Sequence, residues 1–264
     1  MSKGLRWSIR QRSSNNGAVA ETYYMGTYWR ARQEDAEACA RRLAALVQSL
    51  APMDPLFASW FKGAKSLKES LKRPLELDLP ILQKYVQSRI MRDSARRPIE
   101  DLGFSVGLWN GHQGGSDAWL SIGCGGYSEF TGNRCVLEAP FEGPGSERVL
   151  TAPFQAQALR AIATAWDPVW GVGISRAHRD IIEAKCPDVL VGWVTYLARR
   201  LGRVPPLPAP VRIEPVEDKG SLIILTPERF TASNPEHVAL AERVRELLDR
   251  AGLLTVKPSK SSSR

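Results

Sequence analysis

The segment Thr22–Trp29 (TYYMGTYW) is an unbroken run of aromatic and β-branched residues, the pattern of a buried strand. Directly after it Ala36, Ala40, Leu43, Val47 and Leu50 recur at helical spacing. Glu34, Asp35 and Glu37 lie at the end of that helix where its dipole is positive. Pro52 and Pro55 stop it. Residues 60–101 carry weaker helical patterns. The better one starts at Asp78 as cap, has Pro80 in its first turn and turns Ile81, Leu82, Tyr85 and Val86 inward. From Gly103 the texture changes to consecutive strands at Phe104–Trp109, Ala118–Cys124 and Asn133–Ala139, joined by the turn-rich stretches NGHQGGSD and GGYSEFTG. Phe154, Ala158, Leu159, Ile162, Ala165 and Trp166 then form one apolar helical stripe closed by Pro168. Further strands are expected at Val169–Ile174, Val189–Ala198, Val211–Val216 and Ser221–Thr226, the last two joined by the turn EDKG. Asn234 caps a final helix with Pro235 at its first position, and Gly252 ends it.

Strands and helices neither alternate strictly nor segregate fully. The expected class is therefore α+β, with largely antiparallel sheet flanked by amphipathic helices. Three regions are expected: a basic N-terminal segment over residues 1–20, a single α+β domain over 21–254, and a flexible basic tail over 255–264. A division into two lobes near residue 150 is the alternative. The proline-rich strap Val204–Pro210 reads as a stiff loop between strands rather than as a recognition motif.

Charge changes the picture less than its total suggests. The chain of 264 residues carries 36 basic and 28 acidic side chains, an excess of +8 that points first to a polyanionic partner. That excess sits in residues 1–32, in 60–101 and in the tail. Residues 102–150 hold only two basic side chains against five acidic ones. A nucleic-acid groove would mix its cations with exposed aromatics on one element. A nucleic-acid-binding role through Arg89, Arg92, Arg96 and Arg97 and the N-terminal arginines is thus the secondary reading.

The ends and the cysteines narrow the setting. Residues 1–20 contain no apolar core of a signal peptide, and the longest apolar stretch, Val189–Ala198, is about half of a membrane span. A cytoplasmic protein without a membrane association is expected. Cys39, Cys124, Cys135 and Cys186 lie far apart without a CxxC pair; buried reduced thiols are expected, with a Cys124–Cys135 bridge as the alternative.

No catalytic constellation emerges. His112, His178 and His237 are dispersed, outside any HExxH pattern and far from cysteine pairs with zinc-ligand spacing. His237, in the first turn of an amphipathic helix, reads as solvated. His112 beside Asp117 is the one pairing with catalytic character. Gly171–Val172–Gly173 falls short of a dinucleotide fingerprint, and Gly123–Cys124–Gly125–Gly126 lacks the Lys–Ser/Thr of a phosphate loop and reads as a strand ending in a tight turn. No catalytic residue, metal or cofactor is assigned. Trp29, Trp60, Trp166 and Trp193 read as core. Trp109 and Trp119 flank the loop 110–118 and are candidate anchors of a binding surface. The carboxylates Asp117, Glu129, Glu138, Glu142 and Glu147 read either as a solvated face or as a patch complementary to a basic partner. A stable scaffold without a recognisable active site favours a binding protein.

The aromatic and glycine landmarks then resemble a known family. They are Tyr24–Trp29 leading through Arg32 into the first helix, Trp60–Gly63 after Asp54–Pro55, Gly103–Phe104, Leu108–Gly111, Ile122–Gly125, Trp170–Gly171 and Val191–Leu197. This pattern, from about residue 23 to 230, resembles immunity protein 52, a family of bacterial polymorphic-toxin systems. The resemblance implies an inhibitor, not an enzyme. It implies protection of the producing cell from a cognate secreted toxin, a type VI effector with a restriction-endonuclease-like DNase domain. On that implication the expected toxin-binding residues are Trp109, Asp117, Trp119, Tyr127 and Glu129, in the turn-rich central region.

Overall fold

A computed structural model describes residues 21–183 and 188–256. The N-terminal segment, Cys186 and most of the basic tail lie outside the described residues.

Among the described residues nine strands form one sheet: β1 (Tyr23–Trp29), β2 (Phe61–Lys62), β3 (Phe104–Trp109), β4 (Trp119–Cys124), β5 (Asn133–Glu138), β6 (Trp170–Ser175), β7 (Val194–Ala198), β8 (Arg212–Val216) and β9 (Gly220–Ile224). Their order across the sheet is β2-β3-β4-β5-β1-β6-β7-β9-β8, and every pairing is antiparallel. The class is α+β, as the sequence pattern predicts. β1 lies centrally, bonded to β5 on one side and to β6 on the other, so the sheet runs without a break across residue 150. That central place explains why the first strand reads as apolar throughout, for it is covered on both sides.

Among the described residues seven α-helices flank the sheet: α1 (Ala36–Leu50), α2 (Leu67–Ser70), α3 (Leu79–Ser88), α4 (Gly143–Val149), α5 (Ala152–Trp166), α6 (Arg176–Ile182) and α7 (Pro235–Arg250). α5 packs on β1, β6 and β7, and α1 packs against α3 and α5. The main core lies between these helices and the face carrying Met25, Trp29, Ile122, Cys135 and Tyr196. Trp29 stacks on Trp166 of α5 with ring centroids 5.4 Å apart. The Gly171–Val172–Gly173 motif has a packing role. A Cβ on Gly171 would stand 3.2 Å from Leu159 of α5, and one on Gly173 would stand 3.0 Å from Gln155. The two glycines let α5 approach the sheet closely.

Caps fall where the sequence places them. Asp78 accepts from the Ile81 N–H at 3.2 Å, Asn234 accepts from the Glu236 N–H at 2.9 Å, and Gly252 takes the left-handed conformation with φ +71° after α7. The EDKG turn joins β8 to β9, and β4 ends at Cys124 with Gly125 at φ +71°, as expected.

Three expectations need correction. Of the run Val189–Ala198 only Val194–Ala198 is strand; the preceding residues form a largely buried connection that bends at Trp193, where the Gly192 N–H donates to the Thr195 hydroxyl at 3.1 Å. Ile81 points outward and is 40% exposed, while Leu82 and Val86 fill the core. His237 is buried rather than solvated. It stacks on Phe230 with centroids 5.1 Å apart, and its Nδ1 accepts from the Thr231 N–H at 3.1 Å. The described cysteines are as expected, and Cys124 and Cys135 do not form the alternative bridge. Both are free and buried, as is Cys39.

Candidate functional site

The turn-rich central region maps to the two ends of the β3–β4–β5 meander. At one end the loop 110–118 joins β3 to β4. Trp109 and Trp119 are direct cross-strand partners, with centroids 5.8 Å apart and planes at 20°. Trp109 is 1% exposed, and its indole N–H donates to the His112 carbonyl at 2.8 Å. Trp119 is half-buried and donates to the Asp117 carboxylate at 3.0 Å. Of the two tryptophans, therefore, Trp119 reaches the surface and Trp109 supports it from beneath. Buried Asn110 organises the loop. Its amide nitrogen donates to the Leu56 and Ser116 carbonyls at 3.2 and 3.1 Å, and its oxygen accepts from the His112 and Ala118 N–H groups at 3.2 and 2.9 Å. The full hydrogen-bonding capacity of the Asn side chain is thus used, which fixes the loop.

At the other end, residues 125–132 join β4 to β5. Asn133 plays the equivalent part. It accepts from the Gly126 N–H at 2.9 Å and donates to the Gly126 and Arg30 carbonyls, both at 2.9 Å. The N–H groups of Tyr127 and Ser128 donate to the Asp101 carbonyl at 2.8 and 2.9 Å. Tyr127 is 37% exposed and Glu129 is exposed. Between them and beyond, the tip presents Phe130, which is 98% exposed. Sequence reasoning missed this residue. The available signal was an aromatic in the stretch GGYSEFTG, set among Ser, Glu, Thr and Gly with no apolar period to bury it.

The five predicted residues therefore do not converge. Trp109, Asp117 and Trp119 lie at one end of β4, and Tyr127 and Glu129 beyond its other end. The six residues of that strand separate the groups by about 20 Å at the usual rise per residue. What connects them is the sheet face turned away from α1 and α5. There Ser105 and Gly107 of β3 and Ser121 and Gly123 of β4 stand beside Arg134, Val136 and Glu138 of β5, all exposed or half-exposed. Farther across, α6 covers the same face, where Tyr24, Val172, Ile174 and Ile182 form a small second core. Arg176 of α6 closes that side with a 3.0 Å ion pair to Glu138. The result is a shallow, side-chain-poor strip, open along β3–β5 and bounded by an aromatic at each end.

Elsewhere the chemistry is structural. Burial pushes the Cys135 thiol up, and hydrogen bonding with Cys39 together with burial pushes Cys124 well up, so neither is poised as a thiolate. Among the described residues no group of three or more His, Cys, Asp or Glu side chains is arranged to hold a metal ion. Three arginines of the secondary reading are engaged locally: Arg89 with the Ser105 carbonyl at 3.2 Å, Arg92 with the Arg96 carbonyl at 2.9 Å, and Arg97 with Asp93 at 2.8 Å; the arginines of residues 1–20 lie outside the described residues. Among the described residues no helix is long and apolar enough to cross a membrane. His178 of α6 is fully buried against Phe230 with centroids 4.6 Å apart, and neither ring nitrogen has a hydrogen-bond partner among the described residues. Desolvation lowers its pKa to about 4, against an opposing pull from Glu242.

Comparison with known proteins adds to this geometry. No curated protein matches the chain at a significant level. Among solved structures, a type VI secretion system (T6SS) protein of Pseudomonas aeruginosa has a similar fold. The TM-score is 0.53 at 13% sequence identity, over 95% of this chain and 81% of that one. The sequence profile described as Immunity protein 52 matches residues 21–257, nearly the whole of the described chain, and the chain belongs to that family.

Proposed function

We propose that this protein is the immunity partner of a secreted bacterial toxin, a nuclease delivered by a type VI secretion system, and that it neutralises the toxin by binding it in the cytoplasm of the producing cell. Membership of the immunity family over residues 21–257 carries this reading, for it implies a cognate toxin partner. The likeness in fold to a Pseudomonas T6SS protein supports the secretion context. The role is inhibition rather than catalysis.

An inhibitor that shares a cell with its toxin must leave almost none of it free. A Kd near nanomolar or tighter is expected, which is about −12 kcal/mol or more. The open strip of β3–β5 and its two aromatic ends form the binding surface in this reading. Trp119, Asp117, Tyr127 and Glu129 contact the toxin, and Trp109 positions Trp119 through the stack between them. The exposed carboxylates face a nuclease surface that is basic because it must bind phosphates.

The test is co-expression with the product of the reading frame adjacent to this chain's gene. The two should co-purify, and the host should survive only with the immunity protein present. The double charge reversal Asp117→Lys and Glu129→Lys should slow association and weaken protection. Association that ignores both the double reversal and the salt concentration would remove the electrostatic part of the reading.

A further inference from the structure

We infer that the β4–β5 hairpin tip is the principal anchor of the complex, with the Phe130 ring entering an apolar pocket on the toxin and the Glu129 carboxylate meeting a cation at the rim of that pocket. The inference rests on the proposed immunity role and names which part of the surface recognises the partner.

Three observations carry it. First, Phe130 is 98% exposed, while the other large apolar side chains exposed among the described residues, such as Leu71, Ile81 and Ile181, reach at most 46%. A phenylalanine held wholly in water gains its full burial only on contact with another molecule. Second, the tip is built to hold the ring out. The Phe130 N–H donates to the Ser128 hydroxyl at 3.4 Å, and the Tyr127 and Ser128 N–H groups are anchored on the Asp101 carbonyl. The base of the hairpin is clamped by three Asn133 hydrogen bonds. An aromatic on a preorganised loop loses little conformational freedom on binding, which is what distinguishes anchor residues from incidental contacts. Third, the only charged side chain in residues 125–132 is Glu129, the residue immediately before Phe130. A lone aromatic next to a carboxylate is a poor membrane wedge and a poor ligand for polyanions. It suits a protein pocket with a basic rim, which a phosphate-binding toxin offers.

The exposure of Phe130 separates binding from folding. Phe130→Ala should leave the melting temperature unchanged while weakening the Kd for the purified product of the adjacent reading frame by about 30-fold or more, as loss of a hot-spot aromatic does. Phe130→Trp should retain most of the affinity, and Phe130→Asp should abolish protection in co-expression. Glu129→Gln should reduce the association rate and its dependence on salt. Tight binding by the wild type with an unchanged Kd for Phe130→Ala overturns this inference and leaves the immunity role standing. No binding by the wild type overturns both. A dimer in the wild type without toxin that Phe130→Ala converts to monomer assigns the ring to a second copy of the chain, and also overturns the inference.

Discussion

Mild acidification should destabilise this protein in good part through one residue, His178. Its imidazole is fully buried against Phe230, with a folded pKa of about 4 because the charged form is desolvated. In the unfolded chain the same group titrates near 6.5. Between those values the unfolded state binds a proton that the folded state refuses, so stability falls as pH falls. The contribution is intact above about pH 6.5, declines through the interval, and is fully lost below about pH 4. At about 1.4 kcal/mol per unit the whole effect is roughly 3 kcal/mol, and most of it is gone by pH 4.5. A domain with a total stability of about 5–15 kcal/mol would register that clearly. Urea unfolding at pH 7 and pH 4.5, for the wild type and for His178→Leu, isolates the residue. With an m-value of about 2–3 kcal/mol/M, the wild-type midpoint should drop by about 1 M more than that of the variant. The leucine fills the site without titrating, and carboxylates that titrate lower down contribute equally to both proteins. Equal midpoint losses in the two would refute the argument that burial, not solvent, sets the His178 charge.

Other perturbations address the scaffold beneath the proposed binding surface. Gly103 has φ +66°, and a Cβ there would stand 2.3 Å from the Cys124 carbonyl oxygen. Gly103→Ala should therefore cost more than about 1 kcal/mol in chemical denaturation. Asn110→Ala removes four hydrogen bonds of a buried side chain and leaves partners unpaired. It should cost about 1–3 kcal/mol and should speed amide exchange in residues 110–118 more than in residues 125–132. Cys39, Cys124 and Cys135 are buried thiols, so a thiol reagent at neutral pH should modify at most one of the four cysteines before the protein unfolds.

Much of the fold was legible in the sequence because the local signals agree with one another. The β3–β4–β5 meander is bounded by glycine-rich turns, α1 and α5 carry clean apolar stripes, and Asp78 and Asn234 cap helices where the pattern places them. The misreadings occur where burial and secondary structure separate. Val189 and Val191 are buried but belong to a connection, because an apolar run records only that a segment is covered and not which backbone it adopts. α6 escaped notice because it is short and begins directly at the end of β6, although Ser175 caps it by accepting from the His178 N–H at 3.1 Å. His237 looked solvated from its place in a first turn, yet Phe230, seven residues earlier, folds back on it.

The candidate surface was legible only in part, for a comparable reason. Composition picked out the meander and its acidic balance. It could not tell that Trp109 is covered and Trp119 partly exposed, since the two are partners on one face and their burial depends on what lies over each. Nor could it separate the two ends of β4, which lie near in sequence and about 20 Å apart in space. Phe130 was hidden by the habit of assigning aromatics to the core; only its near-complete exposure distinguishes it.

The central claim is that this chain binds and silences a toxin. Its most direct test is to titrate the purified protein into the product of the adjacent reading frame while following nucleic-acid cleavage. Cleavage should fall linearly and reach zero at one equivalent, as a nanomolar or tighter complex requires. Full cleavage in the presence of an excess of this protein would contradict the account.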